Sequence, residues 1–374
     1  MPTPLISLTQ EETLDIVVKP MVQNSPIYAP LSAGGLSPVK VLYNVKDGSY
    51  LSKVTLSDWA FQSAPSTSTL ISNSYTAAHV PTGSAAQWSL VKYDFYTHLS
   101  RNLLTDLKIH DNSAGELPDA GRELFNAMIP SLMSTVVTDI SRHAFWSNTA
   151  FDPDTDFTGT HDFPATHEAT MAANAGFVQL IKAAVTATTV TNVSTSSTNG
   201  STISTTNVKA LLDAVYRAGS YKLRQKVNST ALGMEQKPVF LVSDDVYESY
   251  KAYIETTYPD SIGYKVLGYD AEGRPTGDVK ALVYKNCMVM CISDVLDDYH
   301  IHTGVSGAEY QHMVIFTERE NLQVAYNFQE GLNGLSLYQR DLDKKFGIDV
   351  GLFPMMDFQI AEATSASIAV GGFQ

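Results

Sequence analysis

Three patterns of side chains in this sequence could do chemistry. His300 and His302 follow Asp297 and Asp298, and two histidines at that spacing on a strand turn both imidazoles to one face, where they can hold a metal. A third ligand would have to come from a distant segment, and nine histidines spread over 374 residues produce one such pair by coincidence. Asp152, Asp154 and Asp156 resemble the opening of a calcium loop. However, Phe157 stands where that loop turns on glycine, and Phe163 stands where it closes on glutamate. The acidic pairs Asp297 with Asp298 and Asp341 with Asp343 would suit glycoside hydrolysis only in a cleft walled by aromatic residues. Solvated turns carry such pairs far more often.

The remaining chemical signals are weaker. The sequence has no phosphate-binding glycine loop, no dinucleotide turn and no nucleophile elbow. Leu241 to Val246, LVSDDV, is a strand running into a helix. Asp244 and Asp245 at the helix start would repel a phosphate, so they are expected to cap the helix. Cys287 and Cys291 lie four apart in a strand-like run, pointing to one face about 13 Å apart, too far for a disulfide within that strand. They are expected to be buried free thiols. No catalytic residue, metal or cofactor is therefore assigned, and the chain is not expected to be an enzyme.

Composition narrows the class further. Apolar residues make up 44% and charged residues only 17%, so Ser, Thr and Asn dominate the polar surface. Such a surface suits a protein that meets other subunits. A net charge of −14 and the lack of a Lys/Arg run argue against reading nucleic acid sequence or binding an anionic membrane. No stretch approaches the ~18 consecutive apolar residues of a membrane span. The N-terminal MPTPLISLTQEE has no basic region or apolar core, so neither a signal peptide nor a membrane role is expected.

The elements that position these residues follow from periodicity. Residues 1–38, with several prolines and Gly34-Gly35, cannot form a core and read as an arm that lies on something else. Residues 39–99 read as a long two-stranded ribbon, with a Ser/Thr-rich tip from Pro65 to Thr82 and a return strand QWSLVKYDFYTHL. A ribbon of this kind is marginal alone and needs a covering surface.

Asp119 to Ser147 predicts a helix of about 44 Å at ~1.5 Å per residue, kinked or starting at Pro130. Its apolar rows include Leu124, Met128, Leu132, Val136, Ile140 and Ala144. Beyond it come a helix at GFVQLIKAAV, a flexible loop from Thr186 to Thr206 and a helix at VKALLDAVYRAG. Then follow a buried strand VFLV, a helix DVYESYKAYI and a Gly/Pro/Asp-rich excursion from Tyr258 to Asp278. The chain closes with strands. Strands, one long helix, helices around a strand, then strands again make an α+β fold without regular βαβ alternation.

That order, together with NVKALLDAVYRAG, PVFLVSDDVYESYKAYI, YKNCMVMCISDVLDD, HMVIFTERENLQVAYNF and DLDKKFGIDVGLFPMMDFQIAEATSASIAV, resembles the major capsid proteins of tailed double-stranded-DNA bacteriophages, with the HK97-type capsid fold. The resemblance runs over almost the whole chain. It implies an N-terminal arm (1–38), an extended β-ribbon or E-loop (39–99), a peripheral domain with the spine helix (100–150 plus closing strands 336–374) and an axial domain (151–335). It further implies a virion subunit, made in the bacterial cytoplasm, that assembles with itself into hexamers and pentamers. These close an icosahedral shell around packaged double-stranded DNA, with portal, scaffold or decoration proteins as further partners.

Trp59, Phe61, Trp88 and Tyr93 are then expected at the subunit interface, on an adjacent spine helix or on the chain's own peripheral domain. Lys46, Lys53 and Lys92 lie in the ribbon, but no motif singles one out for a covalent crosslink. An encapsulin-like shell housing cargo enzymes is the alternative reading, and a hydrolase a more distant one.

Overall fold

Val239–Val242 sits at the centre of the fold because all four of its apolar side chains find cover, alternating between two faces. The computed structural model describes residues 4–13, 15, 38–55, 82–100, 135, 139–150, 169–193, 203–229, 232, 237–257, 264–266, 280–292, 312–328, 335–342 and 345–373. The central strand, β8, belongs to a mixed seven-stranded sheet. Its order is β7 (Thr191–Val193), β17 (Ile368–Gly371), β12 (Val314–Thr317), β8 (Val239–Val242), β11 (Cys287–Cys291), β10 (Lys280–Tyr284) and β9 (Tyr264–Val266).

Helices cover this sheet on one face. These are α4 (Val208–Ala218), α5 (Tyr221–Asn228) and α6 (Asp244–Thr257), taking a short α1 (Gln10–Thr13), α2 (residues 139–146) and α3 (Phe177–Thr186) as the earlier ones. In α4 the residues Val208, Leu211, Leu212 and Val215 are buried, the one-sided stripe their spacing predicts. Each contributes roughly 1.5–3 kcal/mol relative to exposure. They join Phe240, Val242 and Phe316, with the Phe240 and Phe316 rings stacked at 4.4 Å.

On the other face Val239 and Leu241 meet Ile181 and Phe177 of α3 and Phe145 of α2. Helix α2 is the described end of the expected spine, and it is buried on almost every side: Ile140, Ser141, His143, Ala144, Phe145 and Trp146 are all inside. The rest of that helix, with Pro130, lies outside the described residues apart from Thr135.

Two further sheets flank this core. One has the order β2 (Val39–Tyr43), β13 (Leu322–Phe328), β16 (Pro354–Ile360), β5 (Val91–Lys92). The other has the order β1 (Pro4–Leu8), β14 (Leu335–Leu342), β15 (Lys345–Leu352), β6 (Phe95–Ser100). The closing segment 336–374 is thus shared among three sheets, its last strand β17 pairing with β12 and β7. A two-stranded ribbon, β3 (Tyr50–Thr55) with β4 (Thr82–Gln87), stands apart from all three.

The structure departs from the sequence expectation in three places. The Ser/Thr-rich stretch 186–206 is not all loop: Thr191–Val193 is an edge strand, parallel to β17, and the Asn192 side chain donates to the Phe373 carbonyl. Tertiary pairing overrides the composition there. In the Gly/Pro/Asp-rich excursion, Tyr264–Val266 pairs with β10. The return strand of the ribbon is not continuous, and its break defines the site described next.

Candidate subunit interface at the ribbon root

The ribbon leaves the body through a turn whose residue types suit its backbone. Asn44 and Gly48 both have positive φ, 57° and 74°, a conformation that Asn tolerates and Gly adopts freely. Ser49 closes the turn, donating from its amide to the Lys46 carbonyl at 3.1 Å and from its hydroxyl to the same oxygen at 2.6 Å. The Asn327 amide group ties the Val45 carbonyl to β13 at 2.7 Å.

Across the ribbon mouth, the Gly48 amide donates to the Trp88 carbonyl and the Trp88 amide to the Ser49 carbonyl, each at 2.9 Å. The Gln87 side chain donates to the Gly48 carbonyl at 3.0 Å.

The chain then leaves the ladder for three residues. The Ser89 amide donates to Asp357 Oδ2 and the Leu90 amide to Asp47 Oδ1, each at 2.9 Å. Two carboxylates thus take the backbone donors that a neighbouring strand would otherwise take, which explains why the return strand breaks here. Pairing resumes with β5 on β16 and then β6 on β15.

Asp357 is 2% exposed and fully engaged: besides Ser89 it accepts from the Phe358 amide (2.8 Å), the Asn174 side chain (3.2 Å) and the Gln359 side chain (3.2 Å). A buried carboxylate requires such donors, since burial without them costs several kcal/mol.

Of the four aromatic residues expected at subunit contacts, Trp59 and Phe61 lie outside the described residues. The other two are covered by their own chain, Trp88 at 3% and Tyr93 at 8% exposure. Trp88 packs with Leu90, Ala325 and Met355. Tyr93 lies 4.9 Å from the His143 ring of α2, and its amide donates to the Pro354 carbonyl at 2.8 Å. Burial, reinforced by the Asp357 charge, pushes its phenol well above the ordinary range. Both residues fasten the ribbon's root to the body, Trp88 to the sheet and Tyr93 to α2. Among the described residues, the large apolar side chains left exposed near the root are Tyr50 of β3 (65%) and Tyr96 of β6 (57%). Sequence reasoning did not single them out, because exposure at these positions follows from sheet pairing.

The chemical candidates can now be placed. Asp152, Asp154, Asp156, Asp297, Asp298, His300, His302 and Asp343 lie outside the described residues, while Asp341 is in β14. Among the described residues no group of three or more His, Cys, Asp and Glu side chains is placed to hold a metal. Cys287 and Cys291 are free, the first buried and the second partly so; burial pushes the Cys287 thiol up to about 12. A groove of about 550 Å³ beside Trp146 and Lys182 is lined by Asn, Gln, Ser, Thr and apolar residues, without a carboxylate, histidine or cysteine.

Ser243, Asp245 and His312 form a contiguous set at the start of α6. Ser243 donates to one Asp245 oxygen and the His312 ring meets the other, so the serine is not paired with the histidine as an activated nucleophile requires. Burial alone would raise the Asp245 carboxyl, but the contacts from His312 and Ser243 hold it below its ordinary value.

No helix among the described residues is long and apolar enough to cross a membrane. No family model and no curated protein sequence matches the chain. Among solved structures, the chain is similar to a chain of the satellite phage P4 procapsid that includes the size determination (Sid) protein. That match has 10% identity, 96% of this chain and 98% of that chain covered, and a TM-score of 0.49. It is also similar to a chain of the cyanophage A-1(L) capsid asymmetric unit, at 13% identity, 88% of each chain covered and a TM-score of 0.48. A third similar chain comes from the capsid of a native GTA particle, at 14% identity, 90% of this chain and 88% of that one covered, and a TM-score of 0.43.

Proposed function

We propose that the chain is a shell-forming subunit, the major capsid protein of a tailed double-stranded-DNA bacteriophage with the HK97-type fold. The observation that carries this reading is the ribbon. Among the described residues β3 and β4 pair only with each other, over Tyr50–Thr55 and Thr82–Gln87, yet their root is fixed by Asp47, Asp357, Trp88 and Tyr93. A two-stranded ribbon is marginal in water and leaves two rows of unpaired backbone groups. A rigid root with such a ribbon is a device for reaching another surface, and a neighbouring copy provides one at every position of a closed shell.

On this reading residues 1–38 are the arm and 39–99 the ribbon. The spine and closing strands (100–150 and 336–374) form a peripheral domain, and 151–335 an axial one. Hexamers and pentamers close the shell around DNA, which the −14 charge keeps from adhering to the wall.

The test removes the ribbon at its mouth. The Trp88 amide already meets the Ser49 carbonyl at 2.9 Å, so residues 50–87 can be replaced by a Gly-Gly turn that keeps this pair and gives up only the Gln87 contact to the Gly48 carbonyl. The shortened chain is expected to fold and melt as the full one does, but to form no particles. Normal particles from it would overturn the reading. Nuclease-resistant DNA inside particles purified from infected cells supports a capsid, whereas packaged enzymes and no DNA would mean a cargo shell.

A further inference from the structure

The chain passes from ribbon to body at the peptide between Ser89 and Leu90, and the two carboxylates that hold this peptide are arranged crosswise. Ser89, on the ribbon side, donates its amide to Asp357 of β16, which belongs to the body. Leu90, on the body side, donates its amide to Asp47, in the turn from which the ribbon starts. Each bond is 2.9 Å long. Backbone pairs hold the chain on either side, Trp88 with Gly48 and Ser49 before the peptide and Val91 with Met356 after it. Tilting the ribbon about this peptide therefore draws Ser89 away from Asp357 and Asp47 away from Leu90 together. Bonds to a charged acceptor are roughly twice as strong as neutral ones, so the crossed pair resists that tilt.

The two carboxylates differ in their surroundings. Asp357 is buried and also accepts from the Asn174 side chain, whose own oxygen accepts the Ala175 amide at the entry to α3. Phe177, in the first turn of α3, packs edge-on against Phe145 of α2 at 5.3 Å and against Phe358 at 6.1 Å. Asp357 thus refers the ribbon to α2 and α3 as well as to the sheet. Asp47 is exposed, so truncating it opens no buried space.

We propose that Asp47 and Asp357 are positioning residues that aim the ribbon, and that the direction they set fixes the curvature of the shell. This rests on the shell-subunit reading. The six residues of β3 reach about 20 Å from the root at ~3.3 Å per residue, so a tilt of about 10° moves their far end by about 3.5 Å. A shift of that size breaks hydrogen bonds made at the ribbon's destination. Repeated from copy to copy, the same rotation decides whether a ring closes.

Asp47 provides the test. Asp47→Ala removes the acceptor, whereas Asp47→Asn keeps a carbonyl oxygen for the Leu90 amide. In subunits kept below the concentration at which particles form, spin labels on the partly exposed Cys291 and on Lys53→Cys in β3 report the distance from body to ribbon. That distance is expected to be narrowly distributed in the unsubstituted chain and in Asp47→Asn, and spread in Asp47→Ala, with one melting temperature for all three. Particles of a single diameter are expected from the first two, and several diameters or open sheets from Asp47→Ala.

An equally narrow distance in Asp47→Ala overturns the aiming role, as does a spread in Asp47→Asn as wide as in Asp47→Ala. A spread distance accompanied by particles of the original single diameter overturns the link to curvature. Should Asp47→Ala unfold the chain, Asp47→Glu, with its carboxylate one methylene further out, decides by the same two readouts: an unshifted distance overturns the proposal. If the unsubstituted chain forms no particles, it is the shell reading that fails, while the label distances still test the aim.

Discussion

The Ser89 amide and the Asp357 carboxylate, 268 residues apart, meet at 2.9 Å inside the root of the ribbon. One hydrogen bond there joins the point where the return strand leaves β4 to the strand β16 that lies across the body. Because the same carboxylate holds Asn174 and the Phe358 amide, the ribbon's direction is coupled to the loop before α3.

Asp357→Ala would take their acceptor from the Ser89 and Phe358 amides and the Gln359 side chain, while Asn174 keeps the Met356 carbonyl at 3.4 Å. Loss of about 3 kcal/mol is expected, given that an unsatisfied buried donor costs about 1–3 kcal/mol. Asp357→Asn keeps one acceptor oxygen and should lose about half as much. Denaturant unfolding measures the loss, and amide hydrogen exchange at Ser89 and Leu90 should accelerate first. Unchanged exchange at Ser89 in Asp357→Ala would mean the carboxylate does not hold the root.

Two glycines should respond differently to alanine. A Cβ on Gly176 would lie 2.9 Å from the Phe145 carbonyl group and the Ser147 nitrogen, all backbone. On Gly371 it would lie 2.8 Å from the Val215 Cγ2, the end of a side chain. Backbone yields less than a methyl group, so Gly176→Ala is expected to cost about 2–3 kcal/mol and Gly371→Ala about 1 kcal/mol. Thermal melting of the two variants checks the order.

The thiols set an alkaline limit on stability. Cys287 is raised from 9.0 to about 12 by burial, so the folded chain keeps a proton that the unfolded chain loses. Its contribution is fully present below pH 9 and declines by about 1.4 kcal/mol per pH unit between pH 9 and 12. Cys287→Ala should flatten this part of the stability curve. In the native protein a thiol reagent should modify Cys291 and leave Cys287 untouched until unfolding.

The acid side is governed by a different group. Asp245 is held below its ordinary value, so its contribution is present above the usual carboxylate range and is lost as pH falls through it. Asp245→Asn should unfold less steeply with falling pH than the parent chain. An identical acid profile would remove Asp245 from the account.

Much of the fold is legible locally. The stripe of Val208, Leu211, Leu212 and Val215 and the run Val239–Val242 are buried where their periods place them, because each pattern reports its own neighbourhood. The break in the return strand was not legible, since it is imposed by Asp357 from across the sequence. Gly219 reads as a helix-ending glycine, yet its φ is −58°; a Cβ there would meet the Phe316 ring at 3.0 Å, so packing requires it. Helix α5 had a usable signal, Ser220 as cap with Leu223 and Val227 four apart, in a stretch too polar to attract notice. At the ribbon root the aromatic residues Trp88 and Tyr93 stood out in the sequence, but the carboxylates that fix their geometry did not.

The central claim, that this chain builds a closed shell, is tested most directly by the size of what the purified full-length chain forms. Negative-stain electron microscopy with sedimentation velocity should find closed particles of uniform diameter containing many copies. A single species at the mass of a monomer or dimer, under conditions where the chain is folded, would contradict it.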